Sequence, residues 1–209
     1  MPALTQRGEL ALVLHSHMPY VEGFGTWPFG EEWLWEAVAT SYVPLLDVLD
    51  RFPDVITLSV TPVLADQLEA PGALERCLAF LRDVRPESHG RDIATATDPG
   101  VRAALERSAA EYAAAAERLD GLDLIAALGP HARWTSAATH AVLPLLATDA
   151  GLRLQLGAGV AAHRRRFCSW DGGFWLPECA YAPRLDAPLA EAGARVTCVD
   201  LTDVLGGPG

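Results

Sequence analysis

Two short apolar runs, each followed by a stretch with helical spacing, constrain this chain more than any other feature. Residues 9–15 (ELALVLH) form a near-continuous apolar run of strand length, the pattern of a strand buried on both faces in a parallel sheet. A glycine- and aromatic-rich loop follows over 18–30, and then residues 31–51 carry Leu34, Val38, Tyr42, Leu45, Leu46 and Leu49 at helical spacing. The alternation repeats. Residues 55–60 (VITLSV) are rich in β-branched side chains, Thr61-Pro62 marks a helix start, and 63–84 read as helical. Residues 195–199 (RVTCV) read as one more buried strand. Strands alternating with long helices imply an α/β fold with a parallel sheet and right-handed crossovers. In such folds ligands sit at the C-terminal ends of the strands, which directs attention to 15–20, 60–61, 175–178 and Asp200.

Between these elements, 85–100 turn to Pro, Glu, Ser, His, Gly, Asp and Thr, a composition that favours a surface linker. Asp98-Pro99 then opens an alanine-rich amphipathic helix to Leu119, with Val101, Leu105, Tyr112 and Leu119 on one stripe. Patterning is weaker over 124–128, 137–146, 152–165 and 185–192. The formal charge is −11 and every one of the 16 basic residues is arginine, so no lysine-rich stripe exists to wrap a polyanion, and nucleic acid is excluded as a partner. No uncharged apolar stretch reaches the roughly 18 residues of a membrane helix. The start lacks a signal peptide's long apolar region, and the four cysteines form no CxxC pair, so we expect reduced thiols in a cytoplasmic protein.

Two constellations carry chemistry. His15 and His17 stand where the first strand emits its loop, and residues i and i+2 of a strand share a face, so both imidazoles can converge on a metal or on sugar hydroxyls. Taken alone, the pair is more simply explained as a hydrogen-bonded core pair, and its place at a strand end is what favours a functional role. The second stretch, 170–181 (WDGGFWLPECAY), is a short apolar strand that leads to Glu178 among aromatic rings. Aromatic faces pack on sugar faces and a carboxylate stabilises oxocarbenium charge, whereas a helix-capping glutamate beside a core tryptophan is the plain alternative. In the first loop, spacing favours core packing for Trp33 and Trp35 and leaves Trp27 freer to meet ligand. Residues 164–166 (RRR) read as a solvated helix end, with His163 structural, and Asp200 and Asp203 as groups that satisfy turn backbone. No dinucleotide, Walker-type or serine-elbow motif stands where it would be persuasive.

Taken together, HSHMPY, GTWPFGEEWLWEA, ATHAVLPLL and GGFWLPECAYAPRLD resemble glycoside hydrolase family 57, and most closely its 1,4-α-glucan branching enzyme group. The resemblance runs along nearly the whole chain. It implies an incomplete, N-terminal portion of a parallel (β/α)7-type barrel over residues 1–209, acting on α-glucan in glycogen metabolism by a retaining mechanism without a cofactor. It also implies Glu178 as nucleophile, with His15, His17, Pro19, Trp27, His140 and Trp175 binding substrate. Two departures stand out. The stretch 131–135 (HARWT) lacks the glutamate that the family carries shortly before Thr139, and nothing downstream of Glu178 matches the acid/base aspartate motif. From these follow two expectations: impaired chemistry in the isolated chain, and self-association or pairing with a complementary C-terminal half. A metal-dependent hydrolase using His15 and His17, and a non-catalytic glucan-binding fragment, are the competing readings.

Overall fold

The computed structural model of the chain describes residues 10–25, 30–53 and 55–200. The two apolar runs form strands β1 (Leu12–Ser16) and β2 (Ile56–Val60), paired in parallel with His15 opposite Ser59. Between them lie α1 (Glu32–Ala37), a widened π turn (Val38–Tyr42) and α2 (Val43–Arg51). The wide turn has a local cause. The Val43 N–H reaches back five residues to the Val38 carbonyl, one position before Pro44, whose ring and missing N–H do not fit a regular α turn. The expected stripe is in place, with Leu34, Val38, Tyr42, Leu46 and Leu49 buried.

After β2, helix α3 (Pro62–Leu68) begins on its proline. The helix expected over 63–84 breaks at Gly72, whose φ of 74° lies in the left-handed region that glycine enters freely, and resumes as α4 (Ala73–Ala79). A second π turn (Phe80–Val84) stands before Pro86 as the first stands before Pro44, and the chain continues into α5 (Arg85–Thr95). The expectation of a surface linker over 85–100 is therefore corrected: most of it is helix. Tertiary packing supplies what composition withholds. His89 is buried with its Nε2 3.3 Å from Ser108 Oγ on α6 (Pro99–Leu119), and the Arg85 guanidinium lies 4.8 Å above the Tyr112 ring and 3.1 Å from Glu36. Helix α6 starts where Asp98 accepts a hydrogen bond from the Val101 N–H. Its buried face is Tyr112, Ala115, Ala116 and Leu119, whereas Val101, expected on that stripe, is exposed.

The remaining elements are α7 (Leu124–Leu128), β3 (Ala132–Ser136), α8 (Asp149–Phe167), β4 (Gly173–Trp175) and α9 (Asp186–Glu191). The sheet order is β1-β2-β3-β4, all parallel, as the alternation implied. Residues 195–199 depart from the expected buried strand. They contribute one parallel bridge, Gly173 to Val196, because among the described residues only β4 pairs with them, and Val196 stays 51% exposed. Two apolar clusters flank the sheet. One joins Leu58, Val60 and Leu64 to α1, α2, α6 and α7; the other gathers Phe174 and Leu176 with Leu152 and Leu156 of α8. Two glycines allow the closest approaches. A Cβ on Gly159 of α8 would collide with the Ser136 carbonyl, and one on Gly173 would enter the Trp134 indole. At the far end of α8, Arg166 is tied to Asp66 and, at 2.7 Å, to Glu69, so that part of the 164–166 run is a buried anchor to α3 and not a solvated end. Among the described residues no helix is long and apolar enough to cross a membrane.

Candidate active site

Parallel strands in chain order open their C-terminal ends on one side of the sheet, and the residues singled out from sequence meet there. β1 delivers His15 and, just past its end, His17; β3 runs into the turn that carries His140; β4 ends at Trp175, three residues before Glu178. The rings form a stack. His15 lies against Trp175 with centroids 4.7 Å apart and planes within 10°, and His17 lies on His140 at 3.8 Å and 16°. His15 Nε2 is 2.9 Å from His140 Nε2, and His140 Nδ1 is 3.8 Å from Glu178 Oε1. At the other side His15 Nδ1 is 3.0 Å from Ser59 Oγ, and His17 Nδ1 is 3.4 Å from Thr61 Oγ1.

Burial favours neutral imidazoles. It pushes His15 down to about 3, with the charges of His140 and His17 adding to the effect, and His17 down to about 4. His140 is lowered by burial while the Glu178 carboxylate pulls it back. The nucleophile candidate differs from its neighbours. The Glu178 side chain is 70% exposed, and its backbone sits at φ 57°, ψ 21°, in the left-handed region that costs a non-glycine residue about 1 kcal/mol or more. Cys179 shares that conformation at φ 53°. The turn Pro177–Cys179 caps no helix with its glutamate; it turns the carboxylate toward the histidines.

Polar side chains invisible to motif reading hold the loops. Gln67 of α3 is 1% exposed; its Oε1 accepts from the Val21 N–H at 2.7 Å and its Nε2 donates to the carbonyls of Pro19 and Val63, fixing the chain just after His17. Gln155 of α8 does the same for the His140 turn: its side chain accepts from the Thr139 N–H and its carbonyl from the Ala138 N–H. Ser136 Oγ donates to the Trp175 carbonyl, clamping β3 to β4 beside the stack. The strand-end rule had already directed attention to Thr61, whereas nothing in the sequence singled out Ser59, Gln67 or Gln155.

Other residues fall as follows. Pro19 is exposed at the loop surface, Trp35 is buried in the core as expected, and Trp33 is 40% exposed. Trp27 and Asp203 lie outside the described residues. His163 is buried edge-on to Phe167, in keeping with a structural role. Both His15 nitrogens face protein partners, and among the described residues no group of three His, Cys, Asp or Glu side chains is arranged to hold a metal ion.

Comparison with known proteins agrees with this architecture. The sequence is 37% identical over 192 residues to the 1,4-alpha-glucan branching enzyme of Thermococcus kodakarensis, covering 85% of this chain and 28% of that protein. It is 34% identical over 220 residues to a probable 1,4-alpha-glucan branching enzyme of Mycobacterium tuberculosis, covering 92% of this chain and 41% of that one. The crystal structure of the GH57 branching enzyme from Thermococcus kodakaraensis, in complex with glucose and additives, superposes with a TM-score of 0.79 at 32% identity, over 91% of this chain and 39% of that chain. The chain thus spans well under half the length of these relatives. The sequence model of Glycosyl hydrolase family 57 matches residues 11–207, and the chain belongs to that family.

Proposed function

We propose that this chain provides the nucleophile side of a retaining α-glucan-active site of the branching-enzyme type. The observation that carries the reading is the Glu178 carboxylate, exposed at the end of β4 and facing a stack of His140, His17, His15 and Trp175. An exposed carboxylate beside neutral imidazoles can approach an anomeric carbon while the imidazole and indole rings line the sugar subsite. In the retaining scheme the Glu178 oxygen attacks C1, the glycosidic bond breaks, and the covalent glycosyl ester is then resolved by a glucan 6-hydroxyl. That scheme calls for a second carboxyl about 5 to 5.5 Å away to protonate the leaving oxygen. His15, His17 and His140 bind the sugar in the subsite that Trp175 walls, with Pro19 shaping the adjoining loop and Trp27 taking part from the same loop.

Glycogen or α-glucan synthesis in the cytoplasm is the setting that suits this chemistry, in keeping with the four free cysteines, of which Cys77 is buried. The same reading gives the β1 edge, where Leu12 and Leu14 are partly exposed, to a complementary polypeptide or a second copy, which light scattering tests as a mass above that of one chain. The activity test follows iodine staining and reducing ends of amylose together. Branching that Glu178→Gln abolishes supports the assignment, and branching unchanged in that variant overturns it.

A further inference from the structure

Ser59 is fully buried, and among the described residues its hydroxyl has one partner, the Nδ1 of His15 at 3.0 Å. A buried hydroxyl with a single available acceptor donates to it, since an unmade hydrogen bond at such a site is costly. That leaves His15 Nδ1 bare and places its ring proton on Nε2, which must donate across 2.9 Å to His140 Nε2. His140 then carries its own proton on Nδ1, the atom 3.8 Å from the Glu178 carboxylate, which can only accept. The direction is set at the Ser59 end, and it leaves the His140 Nδ1–H facing the carboxylate oxygen 3.8 Å away. The flanking stacks of His15 on Trp175 and His17 on His140 hold the ring planes, so the tautomer is the remaining freedom.

We infer that Ser59 is a positioning residue for the Glu178 carboxylate, acting through His15 and His140 by setting one direction of hydrogen-bond donation from β2 to His140, whose Nδ1–H then faces the carboxylate. Without the hydroxyl, His15 can move its proton to Nδ1, and His140 can donate from Nε2 and turn a bare nitrogen toward the carboxylate. Ser59 touches no reacting atom. The inference rests on the reading of Glu178 as nucleophile, yet its primary test needs no turnover.

Long-range proton–nitrogen correlation spectra of the intact chain distinguish protonated from bare ring nitrogens. The expected result is Nε2–H for His15 and Nδ1–H for His140, with Ser59→Ala converting both to tautomer mixtures and Ser59→Thr, which keeps a hydroxyl, restoring the wild-type pattern. Trapping of Glu178 by an activated glycosyl fluoride should slow about tenfold in Ser59→Ala and recover in Ser59→Thr. Because Ser59 is buried, Glu178→Gln at the exposed end provides a second variant, expected to leave both tautomers in place because the Ser59 hydroxyl still sets them. A wild-type His15 protonated on Nδ1, tautomers unchanged in Ser59→Ala, or tautomers lost in Glu178→Gln, overturns the relay. Ordered tautomers together with no labelling of Glu178 would instead remove the functional reading and, with it, the positioning role.

Discussion

The Nε2 atoms of His15 and His140 meet at 2.9 Å, which two neutral imidazoles achieve only when one donates and the other accepts. This contact joins the first strand to the turn after the third and ends at Glu178. Removing it leaves Ser59 buried beside a cavity without its acceptor. His15→Ala should therefore lower stability by about 1 to 3 kcal/mol, read from the urea midpoint at unchanged slope. An unchanged midpoint would mean that the contact is dispensable to the fold.

Helix α8 offers a paired test on two glycines two residues apart. Nothing lies near a Cβ added at Gly157, so Gly157→Ala should stabilise by about 0.5 to 1 kcal/mol through helix propensity. Gly159→Ala should destabilise by about 1 to 3 kcal/mol or more, because its Cβ meets the Ser136 carbonyl and backbone must move. Thermal melts of the two variants should shift in opposite directions; a shift of the same sign would contradict this packing of α8 on β3.

Buried neutral histidines make stability fall with pH. His163 is 2% exposed, and burial lowers it from 6.5 to about 4, as it lowers His15 and His17. The unfolded chain binds more protons than the folded one below about pH 6.5, so the stability present above that value is lost progressively toward pH 4. Each kcal/mol lost lowers Tm by about 2–4 °C at this chain length. His163→Phe should flatten the Tm–pH curve across that window, and an unchanged slope would assign the dependence elsewhere.

Gln67 ties the loop after His17 to α3 through its one buried amide. Gln67→Leu keeps the bulk but leaves the Val21 N–H without this acceptor, a loss of about 1 to 3 kcal/mol. Hydrogen exchange at Val21 should accelerate in the variant while β2 stays protected. Equal protection in both proteins would show that the loop does not depend on the amide.

The sequence made β1, β2 and β4 legible because each is a short apolar run bounded by turn residues; β1, however, lies at the sheet edge with Leu12 and Leu14 exposed, and is not the strand buried on both faces that its run implied. β3 was not legible, since Arg133, Trp134, Thr135 and Ser136 break hydrophobic periodicity. Its buried hydroxyls are instead satisfied by the Gly159 and Trp175 carbonyls. Composition also misled over α5, where His89 and Arg85 gain their partners only from α6 and α1. At the site, His15, His17, His140, Trp175 and Glu178 could be named from sequence, but their mutual geometry could not. The anchors Ser59, Gln67 and Gln155 act through contacts distant in the chain, which no local motif encodes.

Covalent trapping with an activated 5-fluoro-α-glycosyl fluoride, followed by peptide mass spectrometry, tests Glu178 as the nucleophile. Fluoride leaves without a proton from a general acid, so the experiment interrogates the nucleophile alone: the carboxylate oxygen bonds to C1 as the C–F bond breaks. One glycosyl ester is expected, on Glu178, absent in Glu178→Gln. An ester on another residue, or intact chain without label at saturating reagent, would contradict it.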